Sequence, residues 1–117
     1  MAKIIYGVAG EGNGHAIRSK VVIKHLKKKH DVTVICGKRV EQHFKKPTTV
    51  LAPKIHYFRN RATFLGTTLA NLFRLPQYTN SFFKTLHLIY TFKPDLVITD
   101  FEPWTAWSAM LLRIPII

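Results

Sequence analysis

The densest concentration of residues able to do chemistry lies near the amino terminus, in Gly7-Val8-Ala9-Gly10-Glu11-Gly12-Asn13-Gly14-His15. Glycines at that density let a backbone turn sharply and admit another group closely, and a helix starting there offers free N–H groups to an anion. The loop is phosphate-facing in principle. It lacks the Gly-Lys-Ser/Thr of a P-loop, because His15 follows the last glycine. A Gly-x-Gly-x-x-Gly dinucleotide fingerprint started from Gly10 puts His15 where its third glycine belongs, and Gly37-Lys38-Arg39 stands where an acidic residue should follow the second strand. NAD is therefore disfavoured. A phosphorylated cofactor held by Lys38 or Arg39 keeps an NADP-dependent oxidoreductase as an alternative.

A second concentration is Asp100-Phe101-Glu102-Pro103. Acids followed by Pro at the first helical position also mark a helix start, and on that ground Glu102 is read as structural. Asp95, after Pro94, is read as a turn residue. His25, His30, His43, His56 and His87 are scattered without metal-ligand spacing, so no metal site is expected.

The elements that must position these residues follow from the apolar pattern. Ile4, Ile5, Tyr6, Gly7 and Val8 form a short run ended by glycines, as a buried parallel strand does. Residues 14–29 are helical in period, with Val22, Ile23 and Leu26 on one side and Lys20, Lys24, Lys27 and Lys28 on the other. Residues 31–36 are β-branched and read as a second strand, so the opening segment is a βαβ unit and its sheet is parallel. A short helix is expected at 40–44 and a third strand at 54–58. Helices are expected at 64–75 and 81–92, separated by Pro76. In the second, Phe82, Phe83, Leu86, Ile89 and Tyr90 share a stripe with Leu88 opposite. Leu96-Val97-Ile98-Thr99 is a fourth strand delivering Asp100 at its carboxyl end, and a helix from Pro103 to about Leu112 precedes the opening of a fifth strand at Ile114. Alternation of strands and helices throughout predicts an open α/β parallel sheet with helices on both faces.

The chain of 117 residues is at most one domain, 1–117, and its last residues suggest a sequence that continues into a further strand. A formal charge of +12 with six acidic residues favours anionic partners: phosphates, nucleic acid or an acidic membrane surface. The single Cys36 excludes an internal disulfide and is read as a small buried hydrophobe, which fits a cytoplasmic setting. No window approaches the roughly 20 apolar residues of a membrane span, and no signal-peptide core is present.

Three stretches together carry a family resemblance. Residues 10–19, with Gly-Asn-Gly-His-Ala-Ile-Arg-Ser at their end, Lys93-Pro94-Asp95-Leu96-Val97-Ile98-Thr99-Asp100, and Arg113-Ile114-Pro115 resemble the amino-terminal domain of GT-B-fold glycosyltransferases. The similar branch is that of the lipid-intermediate N-acetylglucosaminyltransferases and UDP-glycosyltransferases. Arg113 departs from the usual Gly-Ile-Pro, a loop difference away from the site, and residues 40–90 carry no diagnostic motif.

The resemblance implies a Rossmann-like acceptor-side half of a two-domain enzyme, missing the carboxyl-terminal domain that holds most of the nucleotide sugar. It implies transfer of a hexose to a hydroxyl on a lipid-linked, glycan or small-molecule acceptor, with inversion and without a metal or other cofactor. His15 falls where the family places its base or acceptor-orienting histidine, and Asp100 where some members place the carboxylate that steadies it. Such a carboxylate fixes the tautomer of the imidazole. Gly10, Gly12, Asn13, Gly14 and Arg18 form the donor-phosphate and acceptor loop. Arg59, Arg61, Phe64 and Arg74, in a basic and aromatic stretch, are candidates for acceptor contact or for docking on an anionic membrane, which makes the expected location the cytoplasm or the inner membrane face. A basic nucleic-acid-binding module is the remaining alternative, but no reading element supports it.

Overall fold

The computed structural model describes residues 1–10, 13–51, 57–58, 61–62 and 64–117. The elements run β1 (Lys3–Val8), α1 (Asn13–Leu26), β2 (Asp31–Gly37), a 3-10 helix (Lys38–His43), β3 (Thr48–Val50), β4 (Tyr57–Phe58), β5 (Arg61–Ala62), α2 (Phe64–Leu72), α3 (Leu75–Phe92), β6 (Leu96–Asp100) and α4 (Pro103–Leu111).

Four strands form one parallel sheet in the order β3-β2-β1-β6. The chain steps outward from β1 to β2 and β3, then returns to lay β6 on the opposite side of β1. Residues 115–117 continue the sheet beyond β6: the Val97 N–H donates to the Pro115 carbonyl at 2.9 Å and the Ile117 N–H to the Val97 carbonyl at 2.9 Å. In place of the expected fifth strand at Ile114 there is an isolated parallel bridge, Val97 to Ile116, and the Ile114 N–H still donates to the Ala109 carbonyl of α4 at 2.9 Å. Tyr57–Phe58 and Arg61–Ala62 pair antiparallel as a separate ribbon.

Both faces of the sheet are covered, which is why its strands read as continuous apolar runs rather than alternating ones. On one face Ile4, Tyr6 and Val8 pack with Val34 of β2, Ala16 and Ile23 of α1, and Val40 of the 3-10 helix. On the other, Ile5, Ile35 and Val97 meet Tyr78 and Ile89 of α3 and Trp104 and Ala109 of α4. Each fully buried aliphatic side chain contributes about 1.5–3 kcal/mol. Cys36 belongs to the first cluster, and burial, with the charges of Glu41 and Glu102 behind it, pushes its thiol up to about 11. It is inert as a nucleophile.

Three other expectations need correction. The third strand of the sheet is Thr48–Val50, not 54–58, and it pairs with β2 from Ile35 to Gly37. Residues 54–56 lie outside the described residues, and Tyr57–Phe58 belong to the ribbon. Pro76 does not separate two helices. It sits in the first turn of α3, where its missing N–H costs nothing, and the helix runs unbroken for 18 residues. Lys93 ends it in the left-handed conformation, its N–H donating to the Ile89 carbonyl at 3.0 Å, with Pro94 next.

The buried stripe of α3 is also rotated from the one expected. Tyr78, Ser81, Thr85 and Ile89 face the core, while Phe83 and Tyr90 are exposed and Leu88 is half-buried against the sheet. The hydroxyls make this phase possible: the Leu51 N–H donates to Ser81 Oγ at 2.9 Å, and Thr85 Oγ1 donates to the Ser81 carbonyl at 2.9 Å. Polar side chains satisfied in this way lose the cost of burial that would otherwise keep them on the outer face.

Candidate functional site

In an open parallel sheet the ligand crevice lies outside the carboxyl ends of the strands, where the strand order reverses. Here that point is between β1 and β6. Val8 and Asp100 are partners in register at their ends, and the Ala9 N–H donates to the Asp100 carbonyl at 3.0 Å. The glycine-rich turn leaves β1 at this point, and α1 begins at Asn13.

Close backbone approach shapes the turn. A Cβ on Gly10 would lie 2.8 Å from the Gly37 Cα, and one on Gly37 would lie 2.4 Å from the Gly10 Cα. The loops after β1 and β2 therefore touch main chain to main chain. Gly7 admits α4 directly onto β1, since its Cβ would lie 2.7 Å from Thr105 Oγ1. A Cβ on Gly14 would meet no described atom within 4 Å beyond its own helix backbone. Asn13 and Gly14 are both exposed in the first turn of α1, where backbone N–H groups have no partner within the helix. Gly12 lies outside the described residues.

His15 and Asp100 meet. Nδ1 of His15 is 2.9 Å from Asp100 Oδ1. One turn further along α1, fully buried Ser19 donates from Oγ to Asp100 Oδ2 at 2.9 Å. Arg18 Nη2 reaches both carboxylate oxygens, at 3.1 and 3.2 Å. Burial alone would push the Asp100 carboxyl up, but the hydrogen bonds from Ser19, His15 and Arg18 outweigh it and hold the group below its ordinary value of 3.8.

The same contacts assign the imidazole tautomer. A carboxylate only accepts, so the short contact to Asp100 requires the proton on Nδ1. Arg18 Nη2 also lies 2.9 Å from Nδ1, but a protonated nitrogen cannot accept, and the guanidinium protons go to the carboxylate. Nε2 is left with its lone pair. His15 is half-buried and able to take a proton from a bound hydroxyl.

The turn from β6 into α4 completes the site. Thr99 Oγ1 accepts the Glu102 N–H at 3.1 Å and donates to the Glu102 carbonyl at 2.9 Å. Glu102 is the N-cap of α4: it accepts the N–H groups of Trp104 and Thr105 and the Thr105 hydroxyl. Burial raises its carboxyl above the ordinary value in spite of these bonds. Its role is structural, as expected. Closing this turn forces Phe101 to φ 59°, a left-handed conformation that costs a non-glycine residue about 1–2 kcal/mol. The Phe101 ring stands edge to face with His15, centroids 5.4 Å apart. Thr99, Asp100, Phe101, Glu102, Pro103 and Ala106 line a hollow of about 440 Å³ beside the pair.

The other candidates lie apart from this cluster or outside view. Arg74 is exposed at the start of α3. Arg61 falls in β5 and Phe64 opens α2, while Arg59 lies outside the described residues. A second hollow of about 470 Å³ lies between α2, α3 and α4, lined mainly by Leu72, Leu75, Tyr78, Phe82 and Trp104. Among the described residues its lining carries no acid or base. Asp95 accepts the Lys3 N–H at 2.8 Å and its own N–H donates to the Lys3 carbonyl at 2.7 Å, pinning the start of β1. Arg113, where the resembling family has glycine, adopts φ 56°, the conformation a glycine would take most easily. Among the described residues no three His, Cys, Asp or Glu side chains converge as metal ligands, and no helix is long and apolar enough to cross a membrane. Ser19 and Phe101 are the site residues that sequence reasoning missed. Only Ser19 left a signal there, four residues after His15 and so on the same face of α1.

Comparison with known proteins bears on the fold and the family. No curated protein matches the sequence. Among solved structures, MurG of Acinetobacter baumannii superposes with a TM-score of 0.64 at 17% identity, covering 99% of this chain and 34% of the MurG chain. The chain thus spans about a third of that protein and shares its Rossmann-like fold. The family described as "Glycosyl transferase family 1" matches residues 2–117, and the chain belongs to that family.

Proposed function

We propose that this chain is the acceptor-side domain of an enzyme that transfers a hexose from a nucleotide sugar to a hydroxyl, with inversion and without a metal. The observation that carries the proposal is the His15–Asp100 contact of 2.9 Å at the point where the strand order reverses, with Nε2 of His15 left as the acceptor of a proton.

In the reaction, Nε2 takes the proton of the acceptor hydroxyl while that oxygen attacks the anomeric carbon. The bond from that carbon to the diphosphate oxygen breaks in the same displacement, so the configuration inverts and the nucleoside diphosphate departs. Asp100, kept ionised by Ser19, His15 and Arg18, stabilises the imidazolium that forms. The N–H groups of Asn13 and Gly14, at the positive end of α1, and the guanidinium of Arg18 offer charge to the departing phosphate. A second domain supplies most of the donor site. A lipid-linked acceptor, with the exposed apolar residues of α2 resting on the inner face of a membrane, fits the net charge. Family membership and the pairing of His15 with a carboxylate favour this reaction over hydride transfer or nucleic-acid binding.

The test is His15→Ala in the complete enzyme, assayed for transfer from a panel of UDP-sugars. Turnover should fall by about 100-fold or more, as for a lost general base, with protein yield and melting temperature unchanged. Near-normal turnover would reduce His15 to a helix residue. Calorimetric titration of UDP-sugars into the 117-residue chain should show weak uptake or none. Micromolar affinity would overturn the division between the two domains.

A further inference from the structure

Phe101 is not accounted for by the packing of the core. The turn from β6 to α4 needs a left-handed residue at this position, and glycine or asparagine would supply it without strain. A phenylalanine there is normally compensated by burial of its ring, yet Phe101 is 79% exposed. Its only described ring partner is His15, met edge to face at 5.4 Å and 61°. The ring is therefore strained into place and uncovered, and Phe101 lines the hollow with Asp100, Pro103 and Ala106.

We propose that Phe101 is an acceptor-binding residue whose ring takes the apolar C–H face of a pyranose, so that the acceptor hydroxyl is presented by a sugar ring. The proposal rests on the glycosyl-transfer reading above. A pyranose is amphipathic in the way this site is: its ring face is apolar, and hydroxyls surround its edge. The hollow is lined by the apolar Phe101, Pro103 and Ala106 and by Asp100, whose carboxylate meets the imidazole of His15 beside it. The electron-rich face of an aromatic ring attracts weakly polarised C–H groups, and the contact discriminates ring from chain because only a closed ring presents a flat face. The ring contact to His15, centroids 5.4 Å apart, sets the platform beside the imidazole, so a sugar stacked on Phe101 lies next to the base.

The experiment uses the 117-residue chain and three probes: methyl β-D-glucopyranoside, methyl N-acetyl-β-D-glucosaminide and sorbitol, an acyclic polyol with no ring face. Binding is followed by saturation-transfer and chemical-shift NMR. At least one pyranoside should bind with saturation entering through its ring C–H protons, and sorbitol should not. Phe101→Gly should weaken pyranoside binding about fivefold or more, and Phe101→Trp should retain it within about twofold. Thermal melting separates this loss from damage to the fold, because Phe101→Gly relieves backbone strain and should leave the midpoint unchanged or raised. Unchanged affinity in Phe101→Gly, equal binding of sorbitol, or no pyranoside binding to the wild-type chain would each overturn the proposal. These failures are distinct from failure of the transfer reading, which is registered by turnover in His15→Ala.

Discussion

Replacing Asp100 by Asn keeps the shape of the side chain and removes its charge, which isolates what the carboxylate does for His15. The amide NH2 can donate to Nδ1, and the imidazole then carries its proton on Nε2, the wrong nitrogen for a base. Arg18 and Ser19 would also lose a charged acceptor. Asp100→Asn should therefore cost nearly as much turnover as His15→Ala, and the double variant little more than either alone, as residues acting as one unit are non-additive. Rates of the three variants check this, and a double variant slower by the product of the two effects would show independent roles. The carboxyl is held below 3.8 in the folded chain, so its stabilising contribution is fully present above that value and disappears only as pH falls through the lower, folded one. The pair thus survives in the range where ordinary carboxylates protonate. At this scale the sequence revealed His15 and Asp100 by type and by resemblance. Phe101 stayed hidden because its meaning lies in a backbone conformation that no glycine or asparagine announced.

Among the elements, the glycine turn divides into positions with different work. Gly10 and Gly37 hold two loops in contact, and Gly37→Ala, with its Cβ 2.4 Å from the Gly10 Cα, should cost about 1–3 kcal/mol of stability as the loops part. Gly14 is helical with open space around it, so Gly14→Ala should leave stability unchanged or raise it by up to about 1 kcal/mol. Chemical denaturation of the two variants distinguishes them, and equal destabilisation would show that the turn is not divided in this way. The βαβ opening, the strand before Asp100 and the start of α4 were legible because each has an apolar run bounded by glycine or proline. The third strand was not. Thr48-Thr49-Val50 is β-branched but only three residues long, too short for alternation to register. The stripe of α3 was misread because Ser81 and Thr85, polar by type, are buried with their hydrogen bonds satisfied.

For the molecule as a whole, charge and apolar exposure coincide around the junction of α2 and α3. Leu65, Leu69, Leu72, Phe73 and Leu75 are exposed there beside Arg74, on a chain of net charge +12. The chain should co-sediment with phosphatidylglycerol vesicles and not with neutral phosphatidylcholine ones, and about 0.5 M salt should release most of it. Leu69→Ser with Phe73→Ser should weaken the association about tenfold. Equal binding to both vesicle types would remove the membrane from the proposed function. Asp100, finally, occupies two structures at once. Its carbonyl closes the last bond between β6 and the loop leaving β1, while its carboxylate holds His15. The imidazole is consequently tethered to the carboxyl end of the β1–β6 ladder, where the strand order reverses. The proposed proton acceptor is thereby positioned by sheet backbone, which leaves adjustment to different acceptors to the rim of the site.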